Sequence, residues 1–256
     1  MTIGALTTLI VALAGPSHAE AAGCFPVAQG PARVMPAAFA ETETVRLTFL
    51  GHSSFLIESA GGATAVTDYN GIVRAGAAPD VVTMNNAHST HFTDSVEAGV
   101  RFVLRGWDPS GGMAQHDLTY LDMHVRNVAT NVRAFGGTRY NGNSIFVFEI
   151  GELCIAHLGH LHHLLTDVHL GELGVIDVLL VPIDGGYTMS HEIAVAVIEQ
   201  IGAPLVIPMH YFNRAVLSRF VELLPRRYEV AFNDTPTVSL SRHSLPFNKF
   251  LVLPGN

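Results

Sequence analysis

The chain has 256 residues, room for one large α/β domain, and its 22 acidic against 14 basic side chains give a net charge of −8. Lys249 is the one lysine and the arginines are scattered, which argues against a phosphate-tracking nucleic-acid surface. A composition of 48% hydrophobic and 14% charged residues excludes a disordered chain. Histidine is over-represented at 14 residues, as many as Lys and Arg together, and its imidazole both ligates metals and moves protons near neutral pH.

Residues 5–14 form an apolar run too short for a membrane span of about 20 residues. Gly15-Pro16 ends it, and the small residues of Ser17-His18-Ala19 and Ala19-Glu20-Ala21 suit a signal peptidase. The pattern predicts a signal peptide over 1–21, an N-terminal extension over 22–44 and a single domain over 45–256, with export to the periplasm and no membrane span in the mature chain. The alternative for the first segment is a short core helix. Cys24 and Cys154 either form one bridge closing a long loop or are two unrelated thiols.

From residue 45 the chain reads as strands broken by Gly-rich turns: 45–50, then 54–58 and 63–68 joined through Ala60-Gly61-Gly62. An apolar strand at 81–84 runs into a loop rich in Asn and His. Further strands are expected at 118–123 and 125–130, and 145–150 with 153–158 reads as a hairpin around Gly151-Glu152. Beyond this, α and β alternate. Thr166 caps a short helix to Leu173, and 178–181 is a buried strand. Ser190 caps a helix in which Ile193, Val197, Ile198 and Ile201 recur at helical spacing, stopped by Gly202 and Pro204. A strand at 205–207, an amphipathic helix over 214–224 and strands at 228–232, 237–240 and 250–253 follow. Antiparallel strands first and α/β units afterwards predict an α+β fold of two packed sheets with helices outside.

The histidines fall at strand ends. His88 and His91 follow the 81–84 strand, His157 and His160 end the 153–158 strand, and His210 ends the 205–207 strand. Strand ends on one sheet edge converge, so these sets are candidates to surround one divalent ion, with Zn²⁺ the best match for neutral imidazoles and a water completing the sphere. A lone histidine is more often a satisfied core or surface residue; three strand-end sets favour a metal site.

Several segments resemble the metallo-β-lactamase superfamily, and most nearly its ascorbate-6-phosphate-lactonase-like Zn-dependent hydrolases. They are Gly51-His52-Ser53-Ser54-Phe55-Leu56-Ile57-Glu58, Val66-Thr67-Asp68, His157-Leu158-Gly159-His160, Val181-Pro182-Ile183-Asp184-Gly185-Gly186-Tyr187-Thr188-Met189 and Ile207-Pro208-Met209-His210. The resemblance spans about 45–211 with the motifs in order, and it implies an αββα sandwich with the metal site at one edge. The chain departs from the family pattern at four places. Where the family has H-x-H-x-D-H, Asn86 replaces the first histidine and Thr90 the aspartate. His160 stands in place of a bridging aspartate, and the middle ligand histidine falls at Asn131 or Val132.

Carried over residue by residue, the resemblance therefore implies one ion rather than two, held by His91, His160 and His210 with His88 beside or bound to it. The catalytic base would be a metal-bound hydroxide or a neighbour such as Asp68 or His52. The plainer roles are a strand-end acid that holds the metal loop for Asp68 and a turn residue for His52. Asn86, Thr90, His157, Asp184 and Tyr187 are expected to orient ligands or line the pocket, though Asp184-Gly185-Gly186 is also a good turn in its own right. His162 and His163 read as loop residues or a relay behind the site. His191-Glu192 lacks the second histidine a zincin needs. Two functions fit: a metal-dependent hydrolase of an ester, lactone or phosphodiester acting on a small molecule, or a non-catalytic binding or scaffold protein that keeps the fold. A copper or iron redox site is a third, weaker fit to an all-histidine sphere. No basic cluster marks a phosphate pocket, and Arg126, Arg133 and Arg139, in the segment before the 145–150 strand, are candidates for one residue that faces the site.

Overall fold

The computed structural model describes residues 24, 45–72 and 76–255. The predicted signal peptide and, apart from Cys24, the N-terminal extension lie outside the described residues. Two sheets face each other. The six-stranded sheet has the order β13-β1-β2-β3-β4-β5, built from Val45–Gly51 (β1), Ser54–Glu58 (β2), Thr64–Val66 (β3), Val81–Met84 (β4), Phe102–Arg105 (β5) and Thr237–Leu240 (β13). The eight-stranded sheet has the order β12-β14-β11-β10-β9-β8-β7-β6. Its strands are Asp117–Tyr120 (β6), Met123–Ala134 (β7), Gly137–Ile150 (β8), Leu153–His157 (β9), Val178–Pro182 (β10), Leu205–Met209 (β11), Glu229–Phe232 (β12) and Lys249–Val252 (β14). The helices are Asp167–Leu173 (α1), His191–Ile201 (α2) and Arg214–Val221 (α3), capped by Thr166, Ser190 and Asn213.

Side-chain alternation assigns the layers. Phe146, Phe148, Ile155, Leu180 and Ile207 of the large sheet meet Leu47, Phe55, Ile57 and Val81 of the small one in the inter-sheet core. Their neighbours Ile145, Val147, Ala156, Leu179 and Val206 point the other way, against Val197 and Ile198 of α2 and Leu217 and Phe220 of α3. A sheet buried on both faces needs apolar residues at consecutive positions, which is why these strands read as unbroken hydrophobic runs. All three described helices pack on the large sheet. The outer face of the small sheet, with Leu50, Val66, Val82 and Met84, is covered by Phe92, Val96, Val100 and Trp107 from the loops around β5.

The structure adjusts several element boundaries. The expected strand over 118–123 breaks at Leu121, whose φ of 51° makes a turn, and β7 restarts at Met123. β7 and β8 form a hairpin far longer than the 125–130 and 145–150 segments suggested, because the outer end of β8, residues 137–140, is exposed and carries no apolar alternation. α3 ends at Val221 rather than at Leu224, since Pro225 cannot continue a helix. Cys24 and Cys154 are joined in a disulfide across 130 positions, which settles the two cysteine readings in favour of the bridge. No helix among the described residues is long and apolar enough to cross a membrane.

Candidate metal centre

β3, β4 and β5 run parallel, as do β9, β10 and β11. Parallel strands deliver their carboxyl ends to a common edge, and five of those ends carry the site: Asp68 after β3, His88 and His91 after β4, His160 after β9, Asp184 after β10 and His210 after β11. One ligand atom from each of His88, His91, His160 and His210 lies within 4.8 Å of the others. His88 Nε2 is 3.0 Å from His160 Nε2, and His91 Nε2 is 3.2 Å from His210 Nε2. In a tetrahedral shell with Zn–N bonds of about 2.0–2.1 Å the donor atoms stand about 3.4 Å apart, so the arrangement is near what one ion requires. His91, His160 and His210 are buried, and His88 is exposed at the mouth.

The chain fixes the far nitrogen of each ring. His91 Nδ1 donates to Asp68 Oδ2 at 2.7 Å, with both side chains wholly buried. His210 Nδ1 donates to Asp184 Oδ2 at 3.0 Å. His160 Nδ1 shares a proton with His162 Nε2 at 2.8 Å, and His88 Nδ1 pairs with Thr90 Oγ1 at 2.8 Å. A carboxylate on Nδ1 puts the proton there and leaves the Nε2 lone pair facing the cluster, the state a metal ligand needs. These four aimed imidazoles fit a first-row divalent cation.

The acids behind these imidazoles are charged. Burial alone would raise Asp68, but the electrostatic influence of the neighbouring His91 and His157 rings and hydrogen bonds from His91 and Asn85 hold it well below the usual carboxylate range. Asp184 is likewise held low against burial, by His210, Thr188 and the backbone N–H groups of its own turn. Burial, reinforced by His91 and His210, pushes His160 down to about 2. Burial and then His210 and His91 push His52 down to about 4, so the His160 and His52 imidazoles are neutral at neutral pH.

The structure separates the roles left open by the sequence. Asp68 is 0% exposed and reaches the cluster through His91, with its second oxygen accepting from Asn85 Nδ2 at 3.0 Å. His52 lies at the rim, its ring 4.2 Å from that of His210 and its Nε2 3.1 Å from Thr90 Oγ1, so Thr90 bridges His52 and His88. His157 turns away from the cluster. Its Nδ1 accepts from Gly159 N, and its Nε2 donates to Ser53 O at 2.8 Å, tying the two sheets together. Asp184 is both turn and ligand support: it accepts from the backbone N–H groups of Gly186, Tyr187 and Thr188 as well as from His210. Tyr187 is exposed and packs edge-on against Phe212, whose ring is 5.5 Å from that of His210, forming an aromatic wall beside the site.

Asn131 does not join the cluster; its Oδ1 accepts from Asn141 N beside the β7–β8 bulge. His163 Nε2 accepts from Asn131 N, a loop contact. Asn86 stands in the metal loop, its N–H donating to Gly142 O and its carbonyl accepting from Arg139. Two contributors went unnoticed in the sequence. Asn85 holds Asp68 and accepts from Ser144 N, and Asn143 Oδ1 accepts from His160 N at 2.7 Å. Gly159 passes between them, where a Cβ would lie 2.3 Å from Asn85 Nδ2 and 2.5 Å from Asn143 Oδ1. No local sequence signal marks either, because Asn85 and Asn143 meet Gly159 only through the fold.

Two packed sheets with a buried histidine cluster at their carboxyl edge are the architecture of the metallo-β-lactamase fold, whose relatives compared below are named metal-dependent hydrolases. The chain belongs to the β-lactamase superfamily domain family, whose model matches residues 46–210. It is 29% identical over 204 residues to a UPF0173 metal-dependent hydrolase of Methanoculleus marisnigri, a match covering 72% of this chain and 89% of the relative. A UPF0173 metal-dependent hydrolase of Carboxydothermus hydrogenoformans is 26% identical over 198 residues, covering 68% and 88%. Among solved structures, a candidate Zn-dependent hydrolase of the metallo-β-lactamase superfamily from Thermotoga maritima superposes with a TM-score of 0.61 at 27% identity, covering 83% of this chain and all of that one. The metallo hydrolase Igni18 of Ignicoccus hospitalis, at 19% identity and TM-score 0.56 over 77% of this chain and 99% of its own, shares the fold.

Proposed function

We propose that the protein is an exported hydrolase that cleaves an ester, lactone or phosphodiester of a small molecule with one Zn²⁺ held by His88, His91, His160 and His210. The observation that carries this reading is the convergence of four imidazoles whose far nitrogens are each engaged by Asp68, Asp184, His162 or Thr90. A bound divalent cation supplies acidification of a water and polarisation of the scissile oxygen. The chain supplies the rest. Asp68 and Asp184 keep His91 and His210 in the tautomer that presents Nε2, and their two negative charges offset a dication that four neutral ligands leave uncompensated.

His52, neutral and at the rim, is the residue we assign to take a proton from the attacking water and return it to the departing alkoxide as the C–O or P–O bond breaks. Asp68 is too enclosed for that role and acts by holding His91. Tyr187 and Phe212 form an aromatic surface along one side of the mouth. Export is supported by the Cys24–Cys154 bridge, since disulfides persist in oxidising compartments.

The test is a panel of p-nitrophenyl acetate, dihydrocoumarin and bis(p-nitrophenyl) phosphate with Zn²⁺-loaded protein. Turnover of at least one class, lost on chelation and in His91→Ala or His210→Ala, is expected. A loaded protein inert towards all three returns the chain to the non-catalytic reading, which Thr90 at the family's aspartate position favours.

A further inference from the structure

Of the three arginines before Ile145, two are engaged elsewhere. Arg126 pairs with Glu149 and donates to the carbonyls of Glu172 and Leu173. Arg133 holds the carbonyls of Gly186 and Thr188. Arg139 is different: one of its nitrogens donates to Asn86 O at 3.0 Å, and the side chain borders a cleft of about 400 Å³ shared with Asn86, Trp107, Asp108, Tyr140 and Asn141. Asn86, which lines the cleft, stands two residues before His88 of the histidine cluster, a Cα span of at most about 7 Å.

Two glycines shape it. A Cβ at Gly142 would lie 2.9 Å from Arg139 Cδ and 3.2 Å from Arg139 Cγ, so glycine there lets the arginine stem lie across the cleft floor. A Cβ at Gly106 would lie 2.4 Å from Asn85 Oδ1, so glycine there brings the chain hard against the metal loop just before Trp107. Asp108, on the same rim, accepts from Ser110 N.

We propose that this cleft is a recognition site for the non-reacting end of the substrate, and that this end is an oxyanion on a flat or apolar body, a carboxylate in preference to a phosphate dianion. The inference rests on the hydrolase reading and adds the substrate's chemical class to it. Arg139 supplies a fork of donors matched to a planar oxyanion. The exposed Tyr140, with the rim of Trp107, whose ring also packs against Phe92 and lies under Arg105, supplies aromatic surface for an apolar group. The Asp108 carboxylate repels a second negative charge, which selects a monoanion.

Trp107 is the one tryptophan in the sequence, so its fluorescence reports occupancy of the cleft directly. The probes are phenylacetate, its neutral isostere phenylacetamide, and phenyl phosphate, titrated into the parent, Arg139→Gln, Arg139→Lys, the control Arg226→Gln and the His91→Ala/His210→Ala variant. Phenylacetate is expected to half-saturate the parent at about a tenfold lower concentration than the amide, with phenyl phosphate between them. Arg139→Gln abolishes that preference, Arg139→Lys keeps part of it, and Arg226→Gln leaves it intact. The preference also survives in the histidine variant, because the cleft does not need the ion. That result stands even if no ester is turned over, so the two readings fail separately. Equal binding of acid and amide to the parent overturns the proposal. So does a preference kept in Arg139→Gln but lost in the histidine variant, which would place the carboxylate on the metal.

Discussion

Replacing Asp68 by Asn changes one atom of a buried pair and leaves the backbone alone, since asparagine accepts the left-handed φ of 43° at this position at least as well as aspartate. The carboxylate accepts from Asn85 Nδ2 at 3.0 Å on one oxygen and from His91 Nδ1 at 2.7 Å on the other. An amide satisfies only one of these. With its NH₂ towards Asn85 it opposes another NH₂. With its NH₂ towards His91 it forces Nδ1 to accept, which moves the imidazole proton to Nε2, the atom that faces His210. Either arrangement weakens His91 as a ligand. Loss of such a support lowers metal affinity by about 10–100-fold, or about 1.4–2.7 kcal/mol. Competition against a chromogenic chelator at neutral pH measures it, with thermal unfolding of the metal-free protein as the control for folding. Metal affinity within about twofold of the parent would refute the claim that Asp68 sets the tautomer of His91.

Three other perturbations follow from the same geometry. Cys24→Ala/Cys154→Ala removes a link across 130 positions, for which loop closure alone predicts about 5 kcal/mol; a loss of about 2–5 kcal/mol in urea unfolding is expected, and less than about 1 would contradict it. For pH, a histidine depressed in the fold leaves the unfolded chain binding more protons below its ordinary value. The stability it allows is therefore full above 6.5 and falls as pH drops towards the folded value, about 2 for His160. Near pH 4.5 this residue alone accounts for about 3 kcal/mol; metal-free protein should lose stability accordingly between pH 7 and 4.5, and His160→Gln should lose distinctly less. Gly159→Ala, at φ 59° and with no space for a Cβ between Asn85 and Asn143, should lower the melting temperature and weaken metal binding together; an unchanged melting temperature would show that the turn yields freely.

The strand-end histidines were legible because a local pattern, an apolar run ending in His, coincides with a topological rule about where parallel strands finish. His88, His91, His160 and His210 could therefore be named from sequence and are brought together by the fold. The partners of their outer nitrogens were less legible. Asp184 sits in an Asp-Gly-Gly turn that explains itself locally, and its contact with His210 crosses from β10 to β11. Asn85 and Asn143 act through pairings between elements 59 and 17 residues apart, and no local periodicity marks them. His157 carried the same strand-end signature as the four clustered histidines, yet the β9 register turns it towards Ser53. The full length of the β7–β8 hairpin was hidden for a related reason: the outer end of β8 lacks the buried face that makes a strand visible as alternation.

The central claim is that four histidines hold one divalent ion, and elemental analysis of protein purified without added metal, beside a His91→Ala/His210→Ala variant, tests it most directly. About one ion per chain in the parent and none in the variant is the predicted result. A parent that carries no metal and takes up none of added Zn²⁺, Mn²⁺ or Fe²⁺ would contradict the account.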